Sequence, residues 1–265
     1  MVRRLRPLLS CLAVCALLGG IIAQRQAAAQ HSAAPVYYIG TRTRAVALTF
    51  DVSWGERMLP LVVSILRKEH VPATFFLSGP WARTHGDAVR GLIADGFEIA
   101  SHGQAHVNLS DLSEARAADN IGAADAILRG YTAKPLRFFR PPNGDFSARS
   151  VEVARGLGYE TVIWSVDSRD WMNPGVPQIV SRVLRDTFPG AIILMHASDT
   201  CKQTDLALPA IIAGLRTSGY RLVTLGELWQ MGTPMHDDPR GSGTKPNRDA
   251  EPAPAACAPI GPAAA

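Results

Sequence analysis

Five short apolar runs in this chain lead at once into residues able to do chemistry. AVALTF is followed by Asp51, FEIA by Ser101 and His102, and LRFF by Arg140; TVIW leads to Asp167, and AIILM is followed by His196. A carboxylate can act as base or ligand. An imidazole can carry a proton or hold a metal, and a guanidinium can fix a carboxylate. In barrels built from parallel strands and crossover helices, function sits at the C-terminal ends of the strands. Polar groups far apart in sequence are therefore expected to meet around one cavity.

The segment SHGQAH carries the first constellation. His102 and His106 are four apart, so one helical turn would set both imidazoles on the same side. Two neutral imidazoles suit zinc, and also nickel, cobalt or iron. Asp51 at its strand end can be a base, a ligand or a turn cap, and the following SWG makes a tight loop there. In FFRPPNGDF the prolines fix the backbone and Gly144 permits a sharp turn. Such a loop can hold Arg140 against a carboxylate and present the backbone N–H of Asn143 to a developing oxyanion. His196 can be a general acid if a carboxylate, Asp167 or Asp170, orients it and raises its pKa. Trp171 and Leu194 can form a small apolar slot for a methyl group or a sugar face, or can be plain core.

The elements that would position these groups alternate regularly. Strands are predicted at Val46–Phe50, Ala73–Leu77, Phe97–Ala100, Leu136–Phe139, Glu160–Trp164, Ala191–Met195 and Arg221–Thr224. Helices are predicted between them at Glu56–Lys68, Asp87–Asp95, Ser113–Arg129, Ala148–Gly156, Val176–Thr187 and Asp205–Ser218. Leu59, Val62, Val63 and Leu66 show the helical spacing, and Ser113 is placed to cap its helix. About seven parallel strands in strict alternation give an α/β fold, an incomplete TIM-like (β/α) barrel. A doubly wound open sheet is the alternative.

Length and composition set the bounds. The chain has 265 residues, of which 47% are hydrophobic and 19% charged, enough apolar material for one sizeable core. A net charge of +4 with no basic, aromatic-interleaved stripe excludes a nucleic-acid partner. Residues 1–30 read as a secretory signal peptide: Arg3, Arg4 and Arg6, then apolar Leu8 to Ala23, then Ala27–Ala29. Export follows, to the cell envelope or beyond, and no stable membrane span is expected once that segment is removed. An uncleaved N-terminal anchor is the other outcome. A single domain is predicted over residues 36–230, with a disordered Pro/Ala-rich tail from 232 to 265. Cys11 and Cys15 would leave with the leader. Cys201 and Cys257 remain, with their redox state open, and no cysteine cluster suggests a thiolate metal site.

Together these segments resemble the polysaccharide deacetylases of the NodB-homology group. The motifs LTFD, SHxxxH, RPPNG, DSxDW and ILMH occur in the family's order and spacing, from about Ala45 to Leu228. TFDVSWGE, GPW, RPPNGDF and HASD with its following KQT are most similar to the branch of sporulation-associated cell-wall deacetylases. The resemblance implies a deformed (β/α) barrel and hydrolysis of an N-acetyl group on a sugar polymer such as peptidoglycan or a chitin-like chain, by a monomer. It implies Asp51 as general base, Arg140 as its orienter, His196 as general acid and Asp167 as the group tuning His196. It also implies His102 and His106 as ligands of a divalent metal, zinc with cobalt or nickel as alternatives, and Trp171 and Leu194 as walls of the acetyl pocket. The chain departs from the family at one place. The common pattern is TFDDG, whose second Asp binds the metal, and here that residue is Val52. Ser53 and Glu56 are the nearby substitutes. The departure opens a second reading, a glycan-binding protein of the same fold without turnover.

Overall fold

The structure is a computed structural model and describes residues 33–241. Residues 1–30, read above as a signal peptide, and residues 242–265 with Cys257 lie outside the described residues. From Ala34 onward the described chain is one compact unit.

In chain order the elements are β1 (Tyr38–Gly40), β2 (Ala45–Val52), α1 (Met58–Lys68), β3 (Thr74–Leu77), α2 (Gly79–Thr84), α3 (Gly86–Ala94), β4 (Glu98–Ser101), α4 (Glu114–Leu128), β5 (Phe138–Phe139), α5 (Ala148–Gly156), β6 (Glu160–Thr161), β7 (Val166–Asp167), α6 (Val176–Asp186), β8 (Ile192–His196), α7 (Thr204–Thr217), β9 (Arg221–Val223), α8 (Leu225–Trp229) and β10 (Thr233–Met235). The main sheet is parallel and runs β6-β5-β4-β3-β2-β8-β7, with β9 also paired to β2. Its two end strands, β6 and β7, are consecutive in the chain, separated only by residues 162–165. A sheet whose ends are so tied must curl, and the result is a deformed (β/α) barrel rather than an open doubly wound sheet.

β2 explains its own composition. It pairs with β3, β8 and β9, and all eight of its residues are buried, so it reads as a continuous apolar run rather than an alternating one. α1 covers the sheet with Leu59, Val62, Val63 and Leu66, the stripe that its spacing predicts. Ser113 caps α4 by accepting the Arg116 N–H.

Several boundaries differ from the sequence reading. The strand predicted at Leu136–Phe139 keeps only its last two residues, and that at Glu160–Trp164 only its first two, where the bend toward β7 ends the ladder. α2, α8, β1, β7 and β10 lie outside the elements the sequence predicts. β10 lies where the disordered tail was expected to begin: Thr233–Met235 pair antiparallel with Tyr38–Gly40. Asp237 accepts from the Tyr38 hydroxyl, and the Arg240 guanidinium covers the Tyr37 and Trp164 rings. The ordered chain therefore continues past residue 230.

Candidate active site

Asp51 is the penultimate residue of β2 and His196 ends β8, and the two are register partners across these neighbouring parallel strands. A carboxylate and an imidazole are thus fixed side by side at the C-terminal rim. Both line a cavity of about 500 Å³ together with His102, His106, Asn143, Asp167, Trp171 and Leu194.

Arg140 is the anchor of the site. It is fully buried at the end of β5, its guanidinium carbon 3.9 Å from the centre of the Phe76 ring. It donates to Asp51 Oδ1 at 2.8 Å, to Thr49 Oγ1 at 2.9 Å and to the Ile163 carbonyl at 3.1 Å. A buried guanidinium is tolerated only when paired and hydrogen-bonded, and here both conditions are met. Burial alone would raise the Asp51 pKa. The charges of Arg140, His102 and His196 outweigh it and hold the carboxyl below its usual range. One oxygen of Asp51 is committed to Arg140, which leaves Oδ2 for chemistry.

His102 is buried, and its Nδ1 lies 2.9 Å from the Arg140 carbonyl. That contact requires a proton on Nδ1 and leaves Nε2 as a lone pair. Burial lowers its pKa to about 4, so the ring is neutral near pH 7. Nε2 stands 3.7 Å from Asp51 Oδ2. With His102 neutral this is two electron-rich atoms facing each other, not an ion pair, and a shared cation would relieve it. His106 completes the set, its ring centre 5.5 Å from that of His102. Two imidazoles and a carboxylate oxygen form a donor set suited to a divalent ion such as zinc. The histidines meet through a loop rather than the helical turn their spacing suggested.

Because His102 must stay neutral when folded, acid should weaken the fold. The unfolded chain takes the proton near 6.5 and the folded one near 4, so stability falls as pH drops through that window. The loss is on the order of 3 kcal/mol. Urea midpoints of the metal-free protein at pH 7 and pH 4 measure it, and His102→Gln should flatten the slope.

The partner of His196 is Asp170, not Asp167. His196 Nδ1 lies 2.7 Å from Asp170 Oδ1, and the His196 backbone N–H and the Thr204 hydroxyl both donate to Asp170 Oδ2. Asp167 instead accepts from the Arg169 backbone N–H and lines the cavity. The physical reason is the short turn Asp170–Met172, flanked by left-handed Arg169 and Asn173, which swings Asp170 beneath β8. Burial would lower the His196 pKa. The charge and hydrogen bond of Asp170, then the charges of Asp51 and Asp167, raise it instead. An imidazolium acid works only while protonated, so its rate falls as pH rises through that pKa. Asp170→Asn should move the alkaline limb of the pH–rate profile to lower pH. Turnover at pH 8 should drop by about tenfold or more, and an unmoved limb would remove Asp170 from this role.

Among the described residues, Asp170, His196 and Cys201 are the group whose ligand atoms all lie within 4.8 Å of one another, closer than those of Asp51, His102 and His106. Both Asp170 oxygens already accept hydrogen bonds, and burial pushes the Cys201 thiol up to about 12. The thiol therefore stays protonated near pH 7, and Asp170 serves as a hydrogen-bonded support for His196. Glu56 is not a substitute for the missing ligand, since it reaches out to His85 at 3.4 Å. Ser53 does line the cavity. Val52 is fully buried in the apolar core.

Two walls of the cavity went unread in the sequence. Trp164 packs against Gly144, where a Cβ would lie 2.4 Å from its ring, so glycine is required beside left-handed Asn143. Trp54 follows Asp51 by three residues and sets its ring 5.1 Å from His106. Their only sequence signal was proximity to a strand-end polar residue.

Residues 39–162 match the family Polysaccharide deacetylase. A peptidoglycan-N-acetylglucosamine deacetylase of Bacillus cereus is 34% identical, over 70% of this chain and 88% of that protein. The Bacillus subtilis protein YlxY is 32% identical over 73% of this chain, and the match spans only 60% of YlxY. The crystal structure of a CE4 family pseudoenzyme from Bacillus anthracis superposes with a TM-score of 0.70 at 33% identity, covering 75% of this chain and 69% of that one. A mutant of that pseudoenzyme, described as having restored enzymatic activity, matches equally well. Likeness of this extent is inheritance rather than shared architecture, and the chain belongs to the polysaccharide deacetylase family.

Proposed function

We propose that this protein removes N-acetyl groups from a cell-wall or related polysaccharide, outside the cytoplasm. The observation that supports it most is the pairing of Asp51 and His196 across β2 and β8, each with its own dedicated partner, Arg140 and Asp170. Amide hydrolysis needs a base for water and an acid for the departing amine at once, and this arrangement offers one of each.

His102 and His106 would hold a divalent metal, with Asp51 Oδ2 beside them. When bound, the metal polarises the acetyl carbonyl and acidifies a water. Asp51 Oδ2 takes the proton from the attacking water, while Arg140 keeps the carboxylate aimed and ionised. The backbone N–H of Asn143 donates to the developing oxyanion. Leu194 and Trp171 receive the acetyl methyl group. His196, held through Nδ1 by Asp170, delivers a proton from Nε2 to the sugar nitrogen, and acetate and a free-amino sugar leave.

Acetate release from N-acetylated glycan should depend on added zinc, cobalt or nickel and stop with chelator. Val52→Asp should tighten zinc binding by about 10–100-fold and lower the urea midpoint of the metal-free protein, since position 52 is fully buried. Unchanged zinc affinity would show that this position does not face the metal.

Val52, and the likeness to a pseudoenzyme, favour one second reading: a glycan-binding protein without turnover. No acetate with any of the three metals, together with retention on peptidoglycan, would establish it.

A further inference from the structure

The loop that joins His102 to His106 is gripped by residues with no part in the proposed chemistry. Asn120 stands on α4 among buried Ala117, Ile121, Ala124 and Leu128, the one polar side chain of that buried stripe. A buried amide must find hydrogen-bond partners, and this one finds them in the loop backbone. Its Oδ1 accepts from the Gln104 N–H at 2.8 Å, and its Nδ2 donates to the Ala105 carbonyl at 3.2 Å. The Gln104 N–H also reaches the Asn120 backbone carbonyl at 3.1 Å. Gly103, at φ +74°, turns beneath the amide, and a Cβ there would lie 2.6 Å from Asn120 Oδ1. From the other side Gly79, which opens both α2 and the GPW motif, donates its N–H to the Gly103 carbonyl at 2.9 Å.

The two histidines are held differently. His102 is buried and has its own holders: its backbone N–H donates to the Leu77 carbonyl at 2.9 Å, and its ring meets the Arg140 carbonyl. His106 is exposed, so its place depends on the linking residues 103–105, and those are the residues that Asn120 and Gly79 fix. A loop ordered before binding costs less to order on binding. With Val52 where the family pattern has a carboxylate, more of the metal affinity rests on the two imidazoles standing together beforehand.

We propose that Asn120 is a positioning residue for the metal pair: it holds the loop so that His102 and His106 are presented together in the metal-free protein. This rests on the metal-dependent reading above and adds to it a residue outside the ligand set that governs affinity.

The test titrates zinc into the metal-free protein, unsubstituted and as Asn120→Ala and Asn120→Asp, and follows amide hydrogen exchange before zinc is added. Asn120→Ala should bind zinc about tenfold or more weakly. Its Gln104 amide, left with the backbone carbonyl alone, should exchange about tenfold faster, while amides within α4 and β4 keep their protection. Asn120→Asp keeps the shape and the acceptor but loses the donor to Ala105, so its zinc affinity should fall between the other two. It decides the matter if Asn120→Ala does not fold. Protection lost throughout α4 and β4 of the folded variants overturns the proposal, because Asn120 would then be a plain packing residue. Equal zinc affinity in all three proteins removes this inference alone, whereas no zinc binding by the unsubstituted protein removes the metal reading and this inference with it.

Discussion

His196→Ala is expected to cut acetate release from glycan by about a thousandfold or more while the protein stays folded. The amine of a sugar is a poor leaving group until protonated, and among the described cavity groups His196 is the one held by a buried carboxylate with a raised pKa. Folding survives because the His196 side chain is partly exposed and Asp170 keeps two other donors, the backbone N–H at position 196 and the Thr204 hydroxyl. The leaving group supplies the control. An activated aryl acetate departs without a proton, so its hydrolysis should suffer far less. Equal losses on amide and aryl ester would show that His196 does something other than protonate the amine.

Asp51→Asn is expected to be as damaging to turnover, and also to weaken the fold by about 3 kcal/mol. The amide cannot take a proton from water, so the base is lost. It also leaves the Arg140 charge buried without its counter-charge, since Thr49 and the Ile163 carbonyl are neutral. The two effects separate experimentally. Urea midpoints report the charge left alone, and kcat under fully folded conditions reports the base. A variant with normal stability would show that Arg140 does not depend on Asp51.

Much of this was legible because β2, β4, β5 and β8 are short apolar runs that stop at a polar residue, and a parallel strand must stop at the rim. What was not legible has local causes. β10 is three residues, Thr-Pro-Met, too short for any period, and its partner β1 lies almost 200 residues away. Asp170 sits in a turn between two left-handed residues, a geometry that residue type does not reveal, so the residues left Asp167 and Asp170 both open and only the resemblance pointed to Asp167. His102 and His106 were paired on helical spacing, but a loop joins them. Thr49 was within reach, since it shares a strand face with Asp51 two residues on.

The burial of Arg140 also bears on ancestry. A lineage that ceased to hydrolyse anything would still need Asp51, because losing it strands a cation in the interior and the barrel suffers. Persistence of that aspartate in a relative is therefore a record of foldability. The diagnostic side chains are those the scaffold can spare: His106, exposed at the mouth, and His196, whose Nε2 makes no hydrogen bond among the described residues.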